Sequence, residues 1–192
     1  MTTASYAIGP DGSSGELLAL EEGASLQNGP LETLEERVKH KVHKVLGRSL
    51  AIRQVDAGSC NGCEIEINAL NSPVYDLERL GIHFVASPRH ADMLLVTGPV
   101  TRNMELALSK TYRATPEPKV VVAVGACGIS GGIFGCNYAT VGGVDAVVPV
   151  DVYIPGCPPR PHALLHGILL AIGRMEQRLG LAEPVSPGHA GS

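Results

Sequence analysis

Short apolar runs alternate with stretches of helical periodicity along the chain, and this alternation predicts an α/β fold. Runs rich in Val, Ile and Leu that end in turn residues are typical of buried strands. Strands that alternate with helices favour a mostly parallel sheet that is covered on both faces. The pattern predicts strands at 50–55, 82–86, 93–97, 119–125 and 147–154, and helices at 64–70, 101–112 and 162–179. Pro149 interrupts the last of these strands, which is therefore expected near an edge of the sheet.

The two ends of the chain differ from this pattern. Residues 1–30 contain Gly, Ser and acidic side chains with little apolar periodicity, which predicts a disordered or loosely attached tail, and 181–192 read as a second tail. Residues 31–48 form an amphipathic helix with a basic polar face. Two roles stay open for it: docking on a membrane or partner, or packing against its own domain with the basic face in solvent. The α/β domain is expected at 49–180.

Composition and charge exclude several classes of protein. The 192 residues favour one domain, and 44% hydrophobic and 18% charged residues are typical of a globular chain. The net charge of −4 argues against nucleic acid as a partner. No apolar run reaches the roughly 18 residues of a spanning helix, and no secretory signal pattern opens the chain, so a cytoplasmic protein is expected.

Five cysteines, an odd number, lie mostly in loops rich in glycine and proline. Outside a secretory context this placement favours metal ligands or redox groups over disulfides. Cys60 and Cys63 form a C-x-x-C pair after the first predicted strand, and Cys127 and Cys157 each follow a later strand. Because open α/β sheets bind ligands at the carboxyl ends of their strands, these thiols are expected to meet there.

The spacing alone leaves four interpretations open: an iron–sulfur cluster, a zinc ion, a thioredoxin-like dithiol, or buried thiols without a metal. Structural zinc sites usually present two close pairs of ligands, whereas here the second half is split into two single cysteines. Iron–sulfur cubanes accept such scattered thiolates, so the spacing favours the cluster.

The residues that flank the cysteines resemble a known family, the 20 kDa iron–sulfur subunit of NADH:quinone oxidoreductase (respiratory complex I). They are most similar to its homologue, the small subunit of membrane-bound, energy-converting (group 4) [NiFe]-hydrogenases such as formate hydrogenlyase. The resemblance covers about residues 50–178. It is carried by CNGCEIEI at 60–67, SPRHAD at 87–92, GACGISGGIF at 125–134 and VPVDVYIPGCPP at 148–159.

The resemblance implies a flavodoxin-like three-layer fold with one [4Fe–4S] cluster at the carboxyl ends of the strands. The implied ligands are Cys60, Cys63, Cys127 and Cys157, and Cys136 is outside the set. It further implies an electron-transfer subunit of an oxidoreductase complex whose substrate-converting centre lies on a large catalytic partner subunit. A ferredoxin-like iron–sulfur subunit and membrane-arm subunits are the other implied partners, with the chain peripheral on the cytoplasmic side of the cell membrane.

The spacing of the first two cysteines distinguishes the two branches of the family. In the complex I branch the first two cysteines are adjacent, whereas Cys60 and Cys63 are spaced as in the hydrogenase branch. This counts against direct quinone reduction, although a subunit delivering electrons to quinone stays an alternative. A zinc-stabilised α/β binding module is the alternative from another class. Arg89 would offset the charge of a cluster if its loop lay alongside.

Overall fold

The computed structural model describes residues 7–8, 14–17 and 31–180. The helices are α1 (Leu31–Leu46), α2 (Gly62–Ala69), α3 (Arg102–Ala114), α4 (Gly125–Ser130) and α5 (Pro161–Arg178). The strands are β1 (Ala7–Ile8), β2 (Ser14–Leu17), β3 (Leu50–Asp56), β4 (Ile82–Phe84), β5 (Met93–Thr97), β6 (Val100–Thr101), β7 (Val120–Val124), β8 (Thr140–Gly142) and β9 (Val152–Ile154).

A mostly parallel sheet forms the centre of the described ranges. Its strand order is β1-β2-β9-β7-β5-β3-β4, and within it only the β1–β2 pair is antiparallel. The five strands β4-β3-β5-β7-β9 have the order 2-1-3-4-5 along the chain, which is the flavodoxin-like order. The predicted α/β fold is therefore confirmed. Strands β6 and β8 pair separately as a small antiparallel ribbon.

Helices cover this sheet on both faces. Along β5, Met93 and Leu95 pack into the cluster of side chains under α1, α2 and α5, whereas Leu94 and Val96 pack on the side of α3. All four side chains are fully buried. A parallel strand buried on both faces needs a continuous apolar run, and this is the pattern in the sequence.

Helix α1 packs against its own domain. Its apolar residues Leu34, Val38, Val42 and Val45 are buried and belong to the same core as α5. The apolar face of this helix is therefore already covered, and only its basic polar face remains exposed.

The outer strands differ from what the sequence predicts. Strand β9 has three residues, because the segment around Pro149 precedes it without entering the sheet. It is the last of the five core strands, yet it has a further neighbour in β2, which pairs with it in parallel. Strands β1 and β2 come from the predicted tail 1–30. The rest of that tail and the predicted tail 181–192 lie outside the described residues.

Two aspartates hold the amino ends of neighbouring strands by the same arrangement. Asp92 donates its backbone N–H to the Ala51 carbonyl at 2.8 Å and accepts the Ala51 N–H at 3.1 Å. Asp151 exchanges the same two bonds with Val121, at 2.9 and 2.8 Å. Each carboxylate also binds an arginine at or just beyond a helix end, Arg48 and Arg178 respectively.

Candidate metal centre

The four predicted ligands all lie at the carboxyl end of the sheet. Cys60 is exposed in the loop after β3, and Cys63 is buried in the first turn of α2. Cys157 is exposed in the loop after β9. Cys127 was expected in a loop, but it lies in the short helix α4, which begins directly after β7. The helix can begin so abruptly because Gly125 adopts a positive φ of 78°.

The elements that carry these thiols touch one another. Ala126 donates its backbone N–H to the Gly156 carbonyl at 2.7 Å, which ties α4 to the loop of Cys157. A Cβ atom on Gly125 would lie 2.8 Å from Cys63 Sγ, so α4 also reaches α2. A Cβ atom on Gly62 would lie 3.5 Å from Cys60 Sγ and 3.9 Å from Pro158. Glycine at these positions leaves space beside the sulfurs that a side chain would fill.

The electrostatics of the thiols show the same proximity. The pKa of Cys63 is raised to about 12, first by burial, then by the Glu64 carboxylate, and then by Cys60, Cys127 and Cys157. The pKa of Cys127 is also raised, by burial and by Cys157 and Cys60. The four sulfurs therefore lie within electrostatic range of one another, and negative charge on several of them at once requires a compensating cation.

Of the helices that begin at this end of the sheet, three begin close to a cysteine along the chain. Helix α2 starts between Cys60 and Cys63, α4 starts two residues before Cys127, and α5 starts four residues after Cys157. The amino end of a helix carries partial positive charge and free N–H groups, which stabilise anionic groups nearby. The surroundings of the thiols therefore suit a bound group of net negative charge.

The spacing of these side chains differs from that of a single-ion site. No group of three or more His, Cys, Asp and Glu side chains in the described ranges is arranged to hold one metal ion. A tetrahedral zinc ion, with Zn–S bonds of about 2.3 Å, would bring its sulfurs within about 3.8 Å of each other. A cubane spreads four thiolates over four irons and needs a wider cradle. All five cysteines are free thiols. The donor set and the glycine-lined space fit the larger group.

Two other residues singled out in the sequence are Cys136, which is outside the predicted ligand set, and Arg89, which lies apart from the thiols. Cys136 is an exposed free thiol. Arg89 lies in a single 3₁₀ turn, Pro88–His90, that precedes β5. The turn is thus at the amino end of a strand five residues long, roughly 16 Å from the end that bears the cysteines. The loop of Arg89 therefore does not lie alongside the thiols, and the condition under which Arg89 would offset the charge of a cluster is not met.

Sequence reasoning missed the buried carboxylate next to Cys63. The first turn of a helix favours acidic residues, so the pattern explains Glu64 and Glu66 equally well. In the structure Glu64 is only 7% exposed and accepts a hydrogen bond from the buried Thr97 hydroxyl, whereas Glu66 is half-buried. Asp56 has a local role, because its Oδ1 accepts the N–H groups of Gly58 and Ser59 and shapes the loop that leads to Cys60.

The raised pKa of Cys63 predicts low reactivity of this thiol in the metal-free protein. Since the thiolate is the nucleophile, a rise from 9.0 to about 12 lowers its fraction at neutral pH about a thousandfold. We expect iodoacetamide to label exposed Cys136 long before Cys63, and the rate at Cys63 to rise about tenfold per pH unit. Peptide mass spectrometry of timed samples measures both. Equal rates at the two thiols would contradict the burial and the charge described for Cys63.

Comparisons with known proteins agree with this architecture. The family model described as "NADH ubiquinone oxidoreductase, 20 Kd subunit" matches residues 60–171. Formate hydrogenlyase subunit 7 of Escherichia coli is 51% identical over 147 residues, which are 77% of this chain and 58% of that protein. The chain therefore spans little more than half the length of that relative.

Two further matches extend over most of the length of the matched protein. A probable membrane-bound hydrogenase subunit of Pyrococcus furiosus is 45% identical over 161 residues, 84% of this chain and 96% of that protein. Among solved structures, a chain of the membrane-bound sulfane sulfur reductase, an archaeal respiratory membrane complex, superposes with a TM-score of 0.60 at 39% identity. That match covers 73% of this chain and 76% of the other.

Proposed function

The chain belongs to the family of the 20 kDa subunit of NADH:ubiquinone oxidoreductase, and from this premise we propose that it is an electron-transfer subunit with one [4Fe–4S] cluster. The cluster, when bound, carries one electron at a time between redox partners. The proposed ligands are Cys60, Cys63, Cys127 and Cys157. Substrate conversion belongs to a partner subunit, because this chain's own residues are proposed only to hold the cluster and set its surroundings.

One observation carries the proposal: thiols from three distant segments converge at the end of the sheet where α/β folds bind ligands. Bringing free thiols together raises their pKa, so they stay protonated at neutral pH, and holding several of them as thiolates at one place requires a bound cation. Four free thiols brought to one end of the sheet from three separate segments of the chain are best explained as ligands of a bound metal group.

The relatives support a particular kind of complex. Their names place them in a formate hydrogenlyase, a membrane-bound hydrogenase and a sulfane sulfur reductase, so the terminal reactions differ while this type of subunit recurs. A role common to these complexes is electron transfer. The C-x-x-C spacing of Cys60 and Cys63 follows the hydrogenase branch. We therefore assign the chain to a [NiFe]-hydrogenase of the complex I-related type, in which the nickel centre belongs to the large subunit.

Exposed apolar side chains next to the thiols support the partner assignment. Ile65 follows Cys63 on α2 and is 60% exposed, and Ile133 and Phe134 follow α4 and are 91% and 46% exposed. Large apolar side chains so exposed beside a redox site are typical of a subunit contact. We assign this contact to the large catalytic subunit, with a ferredoxin-like iron–sulfur subunit as the second redox partner.

Attachment to the membrane is assigned to the membrane-arm subunits of the complex. No helix among the described residues is long and apolar enough to cross a bilayer. The apolar face of α1 is buried in its own domain, so α1 has no apolar face to insert into lipid. From the resemblance to peripheral subunits of membrane-bound complexes, we propose that the chain is a peripheral subunit on the cytoplasmic side of the cell membrane.

Anaerobic purification of the full-length chain tests the proposal. We expect a brown protein with equal amounts of iron and acid-labile sulfide and, after reduction, the paramagnetic signal of a [4Fe–4S] cluster. A colourless protein with one tightly bound zinc would establish a zinc-stabilised binding module in its place. Affinity purification of the native complex distinguishes the branches, since a partner with two C-x-x-C pairs for nickel identifies a hydrogenase and one without them a quinone-reducing complex.

Two glycines close to each other in the chain test whether the space beside Cys127 is needed for cluster binding. Gly132 and Gly135 both have positive φ, 54° and 58°, so alanine costs each about 1–2 kcal/mol of backbone strain. A Cβ atom on Gly132 would lie 2.8 Å from Cys127 Sγ, whereas one on Gly135 meets nothing within 4 Å. We expect Gly132→Ala to lower the iron content severalfold and Gly135→Ala to preserve it. Equal iron content in the two variants would show that the space beside Cys127 is unimportant.

A further inference from the structure

The carboxylate of Glu64 is buried beside the thiols without a full set of partners. The residue is 7% exposed and follows Cys63 directly on α2. Its Oε1 accepts a hydrogen bond from Thr97, which is fully buried at the carboxyl end of β5. Its Oε2 is buried and has no hydrogen-bond partner. A buried carboxylate oxygen without a partner is costly, so its presence requires an explanation.

Structural roles do not account for this carboxylate. A residue that only favours the start of α2 would gain as much without being fully buried, as half-buried Glu66 on the same helix does. No ion pair in the described ranges involves Glu64, in contrast to buried Glu35, which pairs with Arg79 at 2.6 Å. The hydrogen bond from Thr97 would be made equally well by the neutral amide oxygen of glutamine.

From its burial, its missing partner and its place next to Cys63, we infer that Glu64 is a positioning residue that lowers the reduction potential of the proposed cluster. The inference depends on the proposed function. Reduction adds an electron to the cluster, and a fixed negative charge in a water-poor site opposes that addition. Because Glu64 is buried, solvent screens its charge much less than that of an exposed carboxylate.

The inference is specific about which carboxylate acts. Glu66 is two residues further along α2, carries the same charge and is half-buried. Substituting glutamine at either position removes one negative charge, keeps the length of the side chain and keeps an oxygen that accepts a hydrogen bond. A general effect of net charge would appear in both variants, whereas the proposed effect belongs to Glu64.

A redox titration of the full-length, cluster-loaded protein, monitored by electron paramagnetic resonance, tests the inference. We expect Glu64→Gln to shift the midpoint potential to a more positive value with unchanged iron content and unchanged spectral shape. Glu66→Gln should produce a clearly smaller shift. Glu64→Asp keeps the charge and should stay near the wild-type potential, so a changed side-chain volume would not explain the result.

Unfolding of the cluster-free protein provides the second measurement. Replacing an unpartnered buried charge with a neutral amide should leave the melting temperature unchanged or raise it. A steep fall in the melting temperature would show that Glu64 is needed for folding and would overturn the inference. Equal midpoint potentials in wild type and Glu64→Gln would also overturn it, and so would equal shifts in the two glutamine variants. If the wild-type protein binds no cluster, the proposed function fails and the inference fails with it. A loaded wild type with an unshifted Glu64→Gln variant overturns the inference alone.

Discussion

Replacing Cys127 with serine should abolish cluster binding by the full-length chain, whereas replacing Cys136 should leave it unchanged. A serine hydroxyl is a hard and weakly acidic ligand, so it substitutes poorly for a thiolate on iron. Cys127 is half-buried in α4, next to Gly132, and lies within electrostatic range of Cys60 and Cys157. Iron and sulfide analysis of anaerobically purified protein, together with the absorbance of the brown chromophore, measures the loss.

Cys136→Ser is the matched control, because it removes a free thiol from the same segment of chain, nine residues further on. Both variants lose one thiol, so a general effect of fewer cysteines would lower the iron content equally. Retention of the cluster in Cys127→Ser with loss in Cys136→Ser would show that the ligand set is assigned wrongly. Retention in both would indicate that fewer than four cysteines suffice.

The sequence predicted the parts of this fold whose pattern is local. Strand β5 was predicted with its observed bounds, 93–97, because this short apolar run is bounded by Asp92 on one side and by Gly98 and Pro99 on the other. The thiols were predicted to converge because glycine-rich loops after parallel strands share one end of the sheet. Both arguments need only neighbouring residues and the direction of the strands.

Features that depend on long-range contacts could not be predicted. The hydrogen bond between Glu64 and Thr97 joins α2 to β5 over 33 residues, and the sequence pattern gives the same explanation for Glu64 as for half-buried Glu66. Helix α4 was missed because glycines at 125 and 128 argue against a helix, yet contacts with β5, β7 and β9 hold it. Tertiary packing overrides local propensity at both places.

The motif residues divide into two groups by their position in the sheet. The cysteines of three motifs lie at the carboxyl ends of the strands, whereas Asp92 and Asp151 lie at the amino ends. Each aspartate joins two neighbouring strands, because its backbone N–H donates to a strand carbonyl and its carboxylate accepts the N–H of the same strand residue, and it also binds an arginine. Because the strands are parallel, fixing their amino ends also fixes the register in which the cysteine loops emerge. These aspartates therefore support the site from the opposite end of the sheet.

Replacing Asp92 with alanine should destabilise the folded chain by about 1–4 kcal/mol. The Ala51 N–H, on a residue that is 3% exposed, loses its acceptor, and an unsatisfied buried donor costs about 1–3 kcal/mol. The ion pair with Arg48 adds at most about 1 kcal/mol, because the guanidinium is 60% exposed and therefore screened by solvent. The melting temperature of the full-length protein, measured by calorimetry, should fall by roughly 3–12 °C.

Two variants separate the buried hydrogen bond from the ion pair. Glu105→Ala removes a carboxylate that is 45% exposed and lies 3.9 Å from Arg102, so the melting temperature should change by less than about 3 °C. Asp92→Asn removes the charge but retains an oxygen that accepts the Ala51 N–H, and its loss of stability should lie between the other two. If Asp92→Asn is as unstable as Asp92→Ala, the charge pairing with Arg48 provides the stability and the account of the buried donor is wrong. If Asp92→Ala melts like Glu105→Ala, the aspartate does not hold the strands together, and the register of the cysteine loops must be fixed from the carboxyl end of the sheet.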